Sequence, residues 1–224
     1  MNRMTQEGRA KLEELIARVM KDGQARGIAV GIVNAAGEIQ YENYFGYRDA
    51  ENKLPITRDT IFGMASVTKS FTALSIMQMQ QDGLLKVDDP VSRYIPEFTN
   101  KNQSEPVKLW HLMCHSGGYF PLPRIVVDKT AQAMGIEDTL EEELIYRKDF
   151  ADEGIRLVAE RLDNQTRFTG RPGQRMSYCN DGFGLLSDIV RRHSDCDSFA
   201  EYLDKHVLKP IGMDRSNTSF IRNT

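Results

Sequence analysis

Strand-type patterning occurs once in this chain, near its start, and constrains the fold more than any other feature. Ile28-Ala29-Val30-Gly31-Ile32-Val33 is a short apolar run that reads as a buried strand. Asn34-Ala35-Ala36-Gly37 supplies a turn, and Glu38 to Tyr47 alternates in part, with Ile39, Tyr41 and Phe45 among Gln40, Glu42 and Asn43. The pattern predicts a hairpin. Two strands do not make a stable sheet without more pairing partners, and the rest of the chain does not visibly supply them. Before the hairpin, Leu12, Leu15, Ile16, Val19 and Met20 predict an amphipathic helix that Gly27 ends. After a polar loop, Arg48 to Asp59, nearly everything reads helical.

Val67, Phe71, Leu74 and Met77 predict the apolar stripe of a helix that Gly83 terminates. Asp88-Asp89-Pro90 starts a short helical turn, and Leu109 to His115 is a helix that stops at Ser116-Gly117-Gly118. Ala131 to Tyr146 reads as an acidic helix, with Glu137 to Glu143 as a solvated face. Ile155, Val158 and Leu162 mark another helix. Phe183, Leu186, Ile189 and Val190 line the next, and Phe199, Leu203 and Val207 the last. Met77 and Met79, interleaved with Gln78 and Gln80, read as core and rim.

Charge and cysteine usage narrow the function classes. A net charge of −3 over 224 residues, without a long run of one sign, argues against nucleic acid and against a polybasic membrane patch. No apolar run is long enough to span a bilayer. The opening Met1-Asn2-Arg3-Met4 leads into no apolar core, so no signal peptide is expected. Cys114, Cys179 and Cys196 are an odd, sparse set that suits reduced thiols. Together these predict a cytoplasmic chain.

The chemistry centres on Ser66-Val67-Thr68-Lys69. A hydroxyl and an amine three residues apart share one helix face. Serine is a poor nucleophile until a base takes its proton, and lysine can be that base where its surroundings lower its pKa. By spacing alone, the ordinary alternative is a helix start with Ser66 as N-cap and a solvated Lys69. Tyr178-Cys179-Asn180 follows the turn Arg171-Pro172-Gly173-Gln174 and by itself reads as a polar turn before a helix. His111 and His115 have a metal-compatible spacing, but no H-E-x-x-H and no third ligand accompany them, so no metal is expected. His115 reads instead as a cap of the turn at Ser116-Gly117. No G-x-S-x-G elbow is present, which argues against a Ser-His-Asp triad. Cys179 reads as a small filler thiol.

In chain order, these segments resemble the serine β-lactamase and penicillin-binding-protein superfamily. The nearer likeness is to its class C-like branch of β-lactamases, esterases and D-amino-acid peptidases. Phe62 to Ala73 is similar to the nucleophile helix, with its S-x-x-K. Gly83 to Val91 is similar to the segment that follows, and His115-Ser116-Gly117-Gly118 to a loop after a short helix. Tyr178-Cys179-Asn180 resembles the second motif, Y-x-N, and Leu208 to Met213 a landmark beyond it.

The resemblance implies an α+β, penicillin-recognising fold: a helical domain packed on an incomplete antiparallel sheet with flanking helices. It places residues 1–75 as hairpin and nucleophile helix, 76–205 as the mainly helical domain, and 206–224 as the return. It implies that Ser66 is acylated by an amide, β-lactam or ester and that water releases the acid. Lys69 and Tyr178 handle the serine proton, with the base undecided between them. Asn180 would bond a substrate amide or hold Lys69. No cofactor is implied, and the expected partner is a small-molecule or peptide substrate. A cytoplasmic setting leans toward esterase or peptidase.

The chain departs from the family pattern in one respect: the third motif, a Lys/His-x-Gly strand expected downstream of Gly212-Met213, does not follow that landmark. That strand carries the second oxyanion donor, so the resemblance implies a poor enzyme alone. The rival expectations are a non-catalytic penicillin-binding or sensor module, and a fragment that requires its own carboxyl-terminal polypeptide.

Overall fold

The computed structural model describes residues 4–121, 127–136, 144 and 147–218. The chain divides into two units, residues 1–62 and 63–224. Together they contain helices and one small antiparallel sheet, an α+β architecture.

The first unit opens with α1 (Gln6–Asp22), whose N-cap Thr5 accepts the Gly8 N–H. Then β1 (Gly27–Val33) runs antiparallel to β2 (Ile39–Asp49), in a register that sets Gly27 opposite Gly46 and Ile32 opposite Tyr41. Asn34 holds the hairpin turn, its Oδ1 accepting the Ala36 and Glu38 N–H groups. A third strand, β3 (Leu54–Pro55), pairs with β2 inside the segment expected to be a polar loop. Asp49 folds the chain back by accepting the N–H groups of Glu51 and Asn52. Two residues are too few to show alternation, so the pattern could not reveal this strand. Gly46 is required where it stands: its φ is +75°, and a Cβ there would lie 2.2 Å from the Arg26 carbonyl oxygen.

The second unit is helical. Its elements are α2 (Thr68–Gln81), α3 (Leu109–Met113), α4 (Val127–Met134), α5 (Lys148–Asp163), α6 (Asn180–Arg192) and α7 (Phe199–Leu203). A π turn, Asp204–Leu208, continues α7. The central element is α6, against which α2, α3, α5 and α7 all pack. Leu185, Leu186, Ile189 and Val190 of α6 are fully buried with Ile76, Met79, Leu109 and Leu162. Each such side chain contributes about 1.5–3 kcal/mol on leaving water.

Of the apolar stripe expected for α2, Phe71 packs against the core and the rest does not. Val67, Leu74 and Met77 are 50%, 45% and 43% exposed, and the inward residues are Thr72, Ser75, Ile76 and Met79. Met79 as core and Met77 as rim agree with expectation. The stripe misleads because the Ser75 hydroxyl donates to the Phe71 carbonyl at 2.9 Å and the Thr72 hydroxyl to that of Thr68. Back-bonded hydroxyls hide their polarity and pack as small side chains.

Three other expectations shift. The helix expected over 131–146 lies instead at Val127–Met134 and stops at Gly135, which has φ +69°. Residues 137–143, the acidic stretch included, fall outside the described residues. The turn after Asp88-Asp89-Pro90 is a 3₁₀ turn, Val91–Arg93. Finally, α3 ends at Met113, short of His115, which has a left-handed φ of 54°. Among the described residues, no helix is long and apolar enough to cross a membrane.

Asp163, at the end of α5, ties that helix to the loop before α3. Its carboxylate accepts the Thr99 N–H, the Thr99 hydroxyl and the Asn100 N–H at 2.8, 2.6 and 2.9 Å. Its own carbonyl accepts from the Asn102 amide. Buried carboxylates need such donors to offset lost hydration.

Candidate active site

Ser66 lies in a 3₁₀ turn, Ala65–Val67, that runs directly into α2. It is therefore not an N-cap: no side-chain cap bond is made at either junction. Ala65 adopts φ 43°, a left-handed conformation that costs a residue with a Cβ about 1 kcal/mol. Ser66 itself is exposed.

Two side chains converge on the Ser66 hydroxyl. Lys69, in the first turn of α2, places Nζ 3.2 Å from Oγ and donates to it. Tyr178, from the loop ahead of α6, places its hydroxyl 2.6 Å from the same Oγ. The Lys69 ammonium also lies over aromatic faces, 4.9 Å from the Tyr178 ring centre and 5.6 Å from that of Phe183. Hydrogen bonding from Lys69, then from Ser66, holds the Tyr178 phenol below its ordinary pKa. Lys69 is thus a hydrogen-bond partner of Ser66 rather than a solvated side chain.

The loop that carries Tyr178 runs beside residues 115–119, and the two strands of chain are laced by backbone bonds. Thr169 N–H donates to the Gly118 carbonyl, Gly173 N–H to that of Ser116, and Ser177 N–H to that of His115, at 2.7–2.8 Å. The Ser177 hydroxyl reaches the Tyr119 carbonyl at 2.7 Å. Gln103 donates to the Gly117 carbonyl at 2.7 Å. The His-Ser-Gly-Gly segment is therefore the frame on which Tyr178 is mounted. Gly182 lets α6 approach α3 closely, since a Cβ there would lie 3.2 Å from a Leu112 methyl.

Asn180 is the first residue of α6 and is exposed; its side chain makes no hydrogen bond with a described residue, Lys69 included. Cys179, between Tyr178 and Asn180, is buried, and burial pushes its thiol up, as a filler role requires. Each of the two histidines uses Nδ1 to accept a backbone N–H, His111 that of Lys108 and His115 that of Cys179. Among the described residues, the one cluster of three potential metal ligands is Asp195, Cys196 and His206, where Lys205 already ion-pairs with Asp195. Sequence reasoning gave His115 only a turn; the signal it left was a histidine directly before Ser116-Gly117-Gly118.

Comparisons with known proteins give the family and the fold. The sequence profile of the Beta-lactamase family matches residues 12–220. Esterase EstB of Burkholderia gladioli is 31% identical over 210 residues, which are 91% of this chain and 50% of that protein. Protein flp of Staphylococcus aureus (strain MW2) is 26% identical over 219 residues, 94% of this chain and 38% of that protein. The octameric penicillin-binding protein homologue from Pyrococcus abyssi superposes with a TM-score of 0.73 at 33% identity, covering 92% of this chain and 43% of that one. The chain thus spans half or less of the length of these relatives.

Proposed function

Because the chain belongs to the beta-lactamase family, we propose that Ser66 is the acylating nucleophile of a serine hydrolase. The observation that supports this most directly is the convergence of Lys69 Nζ and the Tyr178 hydroxyl on Ser66 Oγ. In the proposed step, Oγ attacks the carbonyl carbon of an ester, amide or β-lactam while its proton passes to Tyr178 or Lys69. The tetrahedral oxyanion forms, the acyl–leaving-group bond breaks, and the same proton goes to the leaving group. Water then repeats the sequence and frees the acid.

The depressed phenol favours Tyr178 as acceptor, because a phenolate can take the Ser66 proton and a neutral phenol cannot. Lys69 then serves as the cation that holds the phenolate. Asn180, whose side chain bonds no described residue and is exposed at the start of α6, is available to a substrate amide. The backbone N–H of Ser66 is the oxyanion donor this reading assigns, and losing one such donor costs on the order of 10²–10³ in rate.

A fluorophosphonate serine probe tests the reading by intact mass. One adduct on the chain, lost in Ser66→Ala, supports it; a folded chain that takes no adduct refutes it. Turnover then separates the readings of function. Repeated hydrolysis of a chromogenic ester or lactam marks an enzyme. A single equivalent of acylation marks a penicillin-binding or sensor module, or a site that a further polypeptide must complete. Among the described residues β1 is paired on one side, in the order β1-β2-β3, which supports keeping that second reading.

A further inference from the structure

We propose that His115 is the positioning residue for Tyr178: its unprotonated Nδ1 and the face of its ring hold the phenol against Ser66. The proposal rests on the reading of Ser66 as nucleophile. Its basis is that one residue bonds both neighbours of Tyr178. The His115 carbonyl accepts the Ser177 N–H at 2.7 Å, and its ring Nδ1 accepts the Cys179 N–H at 3.1 Å. Between these anchors the imidazole lies against the Tyr178 ring, with centres 4.2 Å apart and planes at 32°. Phe183 backs the imidazole at 4.9 Å. Lys69, imidazole and phenol therefore form one packed group around Ser66.

The left-handed backbone at His115 fits this task, because it accompanies a carbonyl and a side chain that both reach the 177–179 segment. Asparagine would tolerate that backbone and offer an acceptor but no ring. Phenylalanine would offer the ring but no acceptor. Histidine offers both.

The tether needs the ring neutral at Nδ1. A protonated Nδ1 would point a second donor at the Cys179 N–H. The titratable groups that face the ring are Lys69 on α2 and Tyr178 and Cys179 ahead of α6. Burial first, and the Lys69 charge second, lower the His115 pKa below its ordinary value, so the tether is intact at neutral pH. Falling pH breaks it. A cation beside Tyr178 would by charge alone favour the phenolate, so activity lost through His115 protonation reports the tether and not the field.

The test is the rate of fluorophosphonate labelling of Ser66 in the 224-residue chain, followed by intact mass from about pH 4.5 to about 9. Cys179 amide exchange, by NMR, is followed alongside. His115→Asn should keep the amide protected and about a third of the neutral-pH rate, as the conservative rescue. His115→Phe should lose amide protection and at least roughly tenfold in rate with the fold intact. In the wild type, labelling should fall about tenfold per pH unit below the Tyr178 pKa, and about a hundredfold per unit once His115 also protonates. His115→Asn should keep the shallower slope throughout.

Equal rates in both variants, or a steep acid limb that survives in His115→Asn, would overturn the proposal. So would losses that track the unfolded fraction alone. No labelling of the wild type at any pH would break the nucleophile reading instead. Cys179 amide exchange then decides the tether by itself.

Discussion

Residues 1–62 and residues 63–224 solve the problem of burial differently. Among the described residues, the first unit buries three apolar side chains, Ile16, Tyr41 and Ile56. The second buries a continuous cluster from Ile76 to Leu208 around α6. The first is one helix and a three-stranded sheet, little more than the minimum for a sheet to hold together. The second contains Ser66, Lys69, His115 and Tyr178 in full. The contrast teaches where a reactive group can be held. Side chains that must keep a geometry within a few tenths of an ångström need neighbours that cannot relax, and a deep core supplies them.

The largest effect should come from the site itself. Lys69→Ala or Tyr178→Phe is expected to slow probe labelling on the order of 10²-fold to 10⁴-fold while leaving the unfolding midpoint near its wild-type value. A comparable collapse of the midpoint would show that these residues serve the core, and the distinction between site and scaffold would fail. Next comes a matched pair of cavities. Leu162→Ala, in the deep cluster, should cost about 4 kcal/mol, and Ile16→Ala, where the surroundings can close in, about 2 kcal/mol. Denaturant unfolding of both would measure the contrast, and equal losses would abolish it.

Asp163→Ala should cost about 2 kcal/mol, because it leaves the Thr99 and Asn100 donors without their acceptor. Hydrogen exchange should show the loss at residues 99–103 before elsewhere. The smallest effect is one of degree along the pH axis. Tyr178 ionises below its ordinary value, so labelling should already be rising on the acid side of the usual tyrosine range and should plateau above the depressed pKa. A profile that rises only at the ordinary tyrosine pKa would remove the role of Lys69 as the phenolate's cation.

What the sequence showed and hid follows from the range of each interaction. The hairpin was legible because strand, turn and strand are neighbours, and Asn34 fixes the turn from within it. Ser66 and Lys69 were legible because a helix makes three residues one face. Tyr178 and Asn180 came from their order in a resemblance, not from any local pattern. The buried face of α2 was misread because Thr72 and Ser75 count as polar in a sequence and pack as apolar once their hydroxyls are bonded. The bond from the Cys179 N–H to His115 spans 64 residues, and no periodicity in a single sequence carries such a contact.

The left-handed backbone at Ala65 has a consequence for how the protein would respond to selection. Glycine there would remove about 1 kcal/mol of torsional strain. It would also let the turn sample more conformers, so Ser66 would meet Lys69 and Tyr178 less often. A screen for heat resistance and a screen for reaction rate should therefore pull position 65 in opposite directions, the first toward glycine and the second toward keeping the alanine.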